Sequence, residues 1–137
     1  MSSLIIQHYV EWLSSNQFKW DTFLHLTSRK IMTVKGYKHG IEKLLEYMGG
    51  WGIFGFEYGK IGGCLHVHGI VEGRKRSVKE AWEWWFKRYG RALIEPLKEE
   101  LRENAIRYIC KYAIKSENFE IIGERKLENQ LKLCYNM

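Results

Sequence analysis

The chain has 137 residues, and hydrophobic residues make up 45% of them. This length fits one domain with a buried core and excludes a helicase or ATPase motor as a second module. The formal charge of +6 favours a polyanionic partner, and an aromatic content of 15% is typical of a surface on which single-stranded nucleic acid stacks.

Apolar periodicity and turn residues divide the chain into nine elements. In chain order, these are a helix at 3–13, a strand at 18–28, a helix at 33–47, a hairpin of strands at 51–58 and 65–71 around a turn at 59–63, a helix from the N-cap Ser77 to about Tyr89, a strand at 91–96, a helix at 98–115 and a strand at 119–122. The order predicts an α+β fold, with a ferredoxin-like or RRM-like antiparallel sheet of about five strands and helices mainly on one face. Residues 1–137 are expected to form this single domain, with a short N-terminal helix and a basic C-terminal tail.

Cysteine usage and targeting signals indicate the compartment. The three cysteines have scattered spacings, and no N-terminal segment resembles a secretion signal, so we expect a reducing, cytoplasmic setting. No apolar stretch approaches the length of a membrane span, so no membrane partner is expected.

Two histidines lie within the strand Leu65-His-Val-His-Gly-Ile-Val71. Because side chains alternate along a strand, His66 and His68 project from the same side of it. Neighbouring imidazoles on a rigid strand can bind a divalent metal, although two histidines alone specify neither the ion nor a reaction.

The preceding strand offers a third metal ligand. Glu57 lies between Phe56 and Tyr58, and the short connection brings it opposite His66 across the hairpin. Two imidazoles and a carboxylate fit Mn²⁺ or Mg²⁺ with positions left for water and phosphate. Cys64 is the competing ligand, since it shares the histidine face by alternation, and a Cys-His-His set indicates zinc instead.

The long helix carries a second candidate cluster. At about 100° per residue, Tyr108, Lys111, Tyr112 and Lys115 fall on one face, opposite apolar residues that begin at Ile106. A solvated face of tyrosines and lysines is the alternative interpretation. Beside a metal-bound phosphate, however, a phenol can attack phosphorus to form a phosphotyrosine while the lysines offset the developing negative charge.

The tryptophans of the helix after Ser77 divide between core and surface. Trp82 and Trp85 are at helical spacing with Phe86, which predicts that both tryptophans pack in the core. Trp84 is the ring expected to be exposed.

Over about residues 23–122, the chain resembles the HUH endonuclease superfamily, and specifically its rolling-circle replication initiators. Phe23-Leu-His-Leu-Thr-Ser-Arg29 is similar to the first family motif, 65–71 to the second and 108–115 to the third, in its two-tyrosine form. The resemblance implies that His66, His68 and Glu57 bind the metal. It also implies that Tyr108 and Tyr112 are nucleophiles that nick and rejoin single-stranded origin DNA of a plasmid or virus.

Several alternatives stay open at this point. In the segment similar to the first motif, His25 stands where a small or hydroxyl residue is common. This leaves two roles open for His25, an extra polar role or that of a fourth metal ligand. We expect no motor domain in this protein, so unwinding and synthesis would require a host helicase and polymerase, or else DNA that is already single-stranded. A homodimer is compatible with the sequence. The sequence is also compatible with two other functions, those of a small HUH transposase and of a non-catalytic, RRM-like nucleic-acid-binding module.

Overall fold

The computed structural model describes residues 3–58, 64–116 and 119–123, apart from the side chains of residues 3, 5 and 112–119. Its elements in chain order are α1 Ser3–Leu13, β1 Trp20–Leu26, α2 Val34–Met48, β2 Trp51–Tyr58, β3 Leu65–Glu72, α3 Val78–Arg88, β4 Ala92–Pro96, α4 Glu99–Ser116 and β5 Phe119–Ile122. The predicted turn at 59–63 and the basic segment after 123 lie outside the described residues.

The strands form one antiparallel sheet in the order β4-β1-β3-β2-β5. The central strand β3 therefore pairs with β1 on one side and with β2 on the other. This arrangement confirms the predicted α+β, ferredoxin-like fold. It also places the two histidines of β3 in the middle of the sheet.

A hydrophobic core lies on each face of the sheet. The first core joins α2 and α3 to strand residues such as Leu24, Phe54 and Val67. The second joins α1 and α4 to residues that alternate with those, including Ile53 and Ile70. The helices are thus divided between both faces, whereas the sequence predicted them mainly on one, because α1 and α4 each carry an apolar stripe that the second core buries.

Local signals set the helix boundaries. Ser77 caps α3 through a capping box, in which its hydroxyl accepts a hydrogen bond from the Glu80 backbone and the Glu80 carboxylate accepts one from the Ser77 backbone. The hydroxyl of Thr33 caps α2 by accepting a hydrogen bond from the Gly36 backbone, and Gly49 ends that helix with a φ of 88°. Strand β1, in contrast, is shorter than the predicted 18–28.

The tryptophans of α3 only partly follow the prediction. Trp85 is fully buried, as expected, and its indole donates to the carbonyl of Thr27. Trp82 is 38% exposed and stacks on Phe86 at the surface, so its predicted core position was wrong. Trp84 is half-buried against Tyr47 rather than exposed. Helical spacing alone could not show that Trp82 lies beside the edge strand β4, where its indole donates a hydrogen bond to the carbonyl of Ala92.

Gly69 gives a test of packing in the first core. A Cβ atom at this position would overlap the ring of Phe54, which lies opposite it in the β2–β3 register and is fully buried. We therefore expect Gly69→Ala to lower the free energy of unfolding by about 1–3 kcal/mol, the usual effect of overpacking. Urea denaturation measures the change.

Gly36 provides the matched control, since a Cβ there meets only ordinary contacts in the first turn of α2. Gly36→Ala is expected to raise the free energy of unfolding by up to about 1 kcal/mol, because alanine is the better helix former. Equal effects of the two substitutions would contradict this account of Phe54 packing.

Candidate active site

Three neighbouring strands bring ligand-type side chains to the α4 side of the sheet. In the antiparallel registers, His25 of β1 lies opposite His68 of β3, and Glu57 of β2 lies opposite His66 of β3. Both histidines of β3 alternate with Val67, which belongs to the first core, so they share the opposite face with the second core. The predicted neighbourhood of Glu57 and His66 is present.

Three contacts connect these four side chains. The Nε2 atom of His68 lies 3.5 Å from Oε2 of Glu57. The Nδ1 atom of His66 lies 3.2 Å from Nε2 of His25, and the His25 ring stacks on His68 with centroids 4.3 Å apart. The side chains therefore form one contiguous cluster across β1, β3 and β2.

Two histidines of this cluster, His25 and His68, favour the neutral form. Burial, together with the nearby His25 and His66, lowers the pKa of His68 to about 4. Burial and then His66 also lower the pKa of His25. At pH 7 the contact between His68 and Glu57 is consequently not an ion pair, and a neutral imidazole is the form that binds metal.

The donor set fits a divalent cation by its chemistry. A carboxylate oxygen and an imidazole nitrogen converge from adjacent strands, and His66 lies directly across from Glu57. Within the ranges that the structure describes, no group of three His, Cys, Asp or Glu side chains is positioned as it stands to hold a metal ion. The Nδ1 atom of His66 lies against Nε2 of His25. Glu57, His66 and His68 would hold Mn²⁺ or Mg²⁺, the ions that suit mixed nitrogen and oxygen ligands.

Helix α4 places one of the predicted tyrosines against this cluster. The ring of Tyr108 meets that of His68 edge-on, with centroids 4.8 Å apart. Tyr108 is also 39% exposed, so its surroundings are accessible to a substrate. The buried residues Ile106 and Ile109 flank Tyr108 in the helix and fix α4 on the sheet.

The start of α4 is also anchored. The guanidinium of Arg102 donates hydrogen bonds to the carbonyl oxygens of Ser14 and Phe18, at 3.2 and 2.6 Å. These bonds tie α4 to the segment between α1 and β1. The helix that carries Tyr108 is thereby held at both its buried face and its N-terminal turns.

The remaining residues of the predicted tyrosine and lysine face are only partly described. Lys111 is exposed on α4, as the periodicity predicted. Tyr112 and Lys115 belong to the same helix, but their side chains lie outside the described part of the chain.

Cys64 is a poor alternative to Glu57. It is exposed and precedes the first residue of β3. Burial, and then the Cys64 thiol, raise the pKa of Tyr37 to about 12, so the thiol lies near the α2 side of the sheet. The sequence places Cys64 on the histidine face because side chains alternate along a strand. This alternation does not apply to Cys64, since β3 begins only at the next residue.

Acid is expected to destabilise the metal-free protein through His68. Because its pKa is lower in the folded protein than the usual 6.5, the unfolded chain binds more protons between pH 6.5 and about 4. The free energy of unfolding should therefore fall as the pH drops through this window. Denaturant titrations in EDTA at pH 7 and pH 5 measure the change, and His68→Phe should make it smaller. An unchanged pH dependence in His68→Phe would contradict this assignment.

Comparisons with protein-family models, with curated proteins and with solved structures return no match for this chain. Of the helices that the structure describes, none combines the length and apolar character needed to cross a bilayer.

Proposed function

We propose that the protein is a metal-dependent nuclease that cleaves and rejoins single-stranded DNA through a tyrosine nucleophile. The observation that carries the proposal is the contact of Tyr108 with His68, whose Nε2 atom in turn lies beside Glu57. A phenol next to the proposed metal ligands is placed to attack a phosphodiester that a bound ion polarises. Within this class, we propose a rolling-circle replication initiator of the HUH superfamily, acting on the origin of a plasmid or virus in the cytoplasm.

The reaction exchanges one phosphodiester bond for another, so the energy of the broken bond is retained. The hydroxyl oxygen of Tyr108 attacks phosphorus, the bond from phosphorus to the 3′ oxygen breaks, and the upstream strand leaves with a 3′ hydroxyl that receives the proton. The downstream strand stays on Tyr108 as a 5′-phosphotyrosine ester. Attack by a 3′ hydroxyl on this ester reverses the step and joins the strands. Tyr112 is the nucleophile of a second, separate transfer.

The residues of the site have different roles in this reaction. A bound divalent ion supplies polarisation of the scissile phosphate. Glu57, His66 and His68 would hold that ion, and the buried second core keeps the Tyr108 backbone in place. Lys111 and Lys115 offset the charge that develops on the phosphate oxygens. The net charge of +6 attracts the DNA, and a host helicase and polymerase would supply unwinding and synthesis.

A pool of random-sequence single-stranded oligonucleotides tests the proposal, because it requires no knowledge of the origin. Incubation with Mn²⁺ should yield DNA that remains attached to the protein in a denaturing gel, while EDTA or a duplex pool should yield none. Joined products that contain two oligonucleotides would support strand transfer. Retention of intact oligonucleotides without cleavage would instead indicate a non-catalytic, RRM-like binding module, and would refute the proposal.

A further inference from the structure

A third imidazole, His25, belongs to the cluster although the proposed metal set does not include it. Its Nε2 atom lies 3.2 Å from Nδ1 of His66, a distance at which one nitrogen donates a hydrogen bond and the other accepts it. The His25 ring is also stacked on His68, with an angle of 27° between the ring planes. His25 thus contacts both histidines of β3.

The direction of this hydrogen bond determines what His66 can bind. A neutral imidazole has one N–H and one nitrogen with a free lone pair. If Nδ1 of His66 donates to His25, the lone pair of His66 is on Nε2. If His25 donates instead, the proton of neutral His66 is on Nε2, and that nitrogen cannot coordinate an ion.

We propose that His25 is a positioning residue, which accepts a hydrogen bond from Nδ1 of His66 and so directs the Nε2 lone pair of His66 toward the metal. This proposal rests on the metal site of the proposed function. Metal-binding histidines commonly donate their second N–H to a fixed acceptor, which sets both the tautomer and the ring orientation. Here an imidazole from the neighbouring strand would be that acceptor.

The fold holds His25 firmly enough for this role. Its neighbours Leu24 and Leu26 are both fully buried in the first core, and β1 is paired on both sides, with β3 and with β4. His25 lies directly opposite His68 in the register, which explains the ring stacking. The backbone of His25 is therefore fixed, and a turn of its ring would break the contact between its Nε2 atom and Nδ1 of His66.

Two substitutions at His25 distinguish the role of its hydrogen-bond acceptor from the role of its stacked ring. His25→Phe keeps a flat ring for stacking on His68 but removes the nitrogen, whereas His25→Gln offers an amide oxygen at about the reach of Nε2. We expect His25→Phe to weaken Mn²⁺ binding by about 10- to 100-fold, the usual effect of losing such a partner, and His25→Gln to retain most of the affinity. Titration followed by the electron paramagnetic resonance signal of free Mn²⁺ measures both, and thermal unfolding verifies that each variant folds.

Nitrogen-15 NMR of the metal-free protein tests the hydrogen bond itself. The wild type should show the proton of His66 on Nδ1, and His25→Phe should show a mixture of tautomers. A proton on Nε2 of His66 in the wild type would overturn the proposal.

Two further outcomes would also overturn it. One is wild-type Mn²⁺ affinity in His25→Phe, and the other is spin-echo evidence for three imidazole nitrogens on Mn²⁺, which would make His25 a ligand. These results leave the proposed function intact, whereas a wild-type protein that binds no Mn²⁺ refutes the metal site and this inference together.

Discussion

Tyr108→Phe is expected to abolish formation of the covalent protein–DNA adduct. The substitution removes one oxygen atom and leaves the ring that meets His68. Since the phenol oxygen is the proposed nucleophile, the rate of the first cleavage should fall by about a thousandfold or more, as when the nucleophile of other covalent enzymes is removed. Single-turnover cleavage of a selected oligonucleotide in Mn²⁺ measures this rate.

Two other tyrosines make this prediction specific. Tyr47→Phe removes a hydroxyl from α2, on the opposite side of the sheet, and should cleave at the wild-type rate. Tyr112→Phe should form the first adduct but lose the second strand transfer. If Tyr108→Phe cleaves normally while Tyr112→Phe does not, the order of the nucleophiles is the reverse of the one proposed here.

Loss of the Glu57 carboxylate is expected to have the second large effect. Glu57→Ala removes the only proposed oxygen ligand, which lies 3.5 Å from His68. We expect the affinity for Mn²⁺ to fall by at least about 10- to 100-fold, the range seen when even an outer partner of a metal site is lost. Calorimetric titration with Mn²⁺ measures the affinity directly.

Cys64→Ala is the matched control for the identity of the third ligand. Cys64 is exposed before β3, and its substitution should leave the Mn²⁺ affinity unchanged. The assignment of Glu57 fails if Cys64→Ala loses metal binding while Glu57→Ala retains it. That result would favour a zinc-type set of one cysteine and two histidines.

Much of the fold could be predicted because its local signals agree with its packing. The capping box at Ser77 and the glycine after α2 mark helix ends by local hydrogen bonding and backbone geometry, which a sequence reveals. The β2–β3 hairpin follows from a short connection, which is why the sequence predicts the pairing of Glu57 with His66. Such features depend on residues that are close in the chain.

Other features depend on contacts between distant segments. His25 reaches His66 only because β1 pairs with β3, about forty positions along the chain. From the sequence alone, His25 is only an unusual residue in the segment that resembles the first family motif. Similarly, the exposure of Trp82 depends on where β4 ends the sheet. The position of α4 over the histidine face required the second core, whose residues come from both halves of the chain.

The mass of the denatured protein after reaction with a cleavable single-stranded oligonucleotide and Mn²⁺ tests the central claim most directly. We predict a gain equal to the downstream DNA fragment with its 5′ phosphate, located on Tyr108 by peptide mapping, and no gain in EDTA. Unmodified protein beside cleaved DNA would show that water rather than tyrosine attacks phosphorus, and would contradict the account.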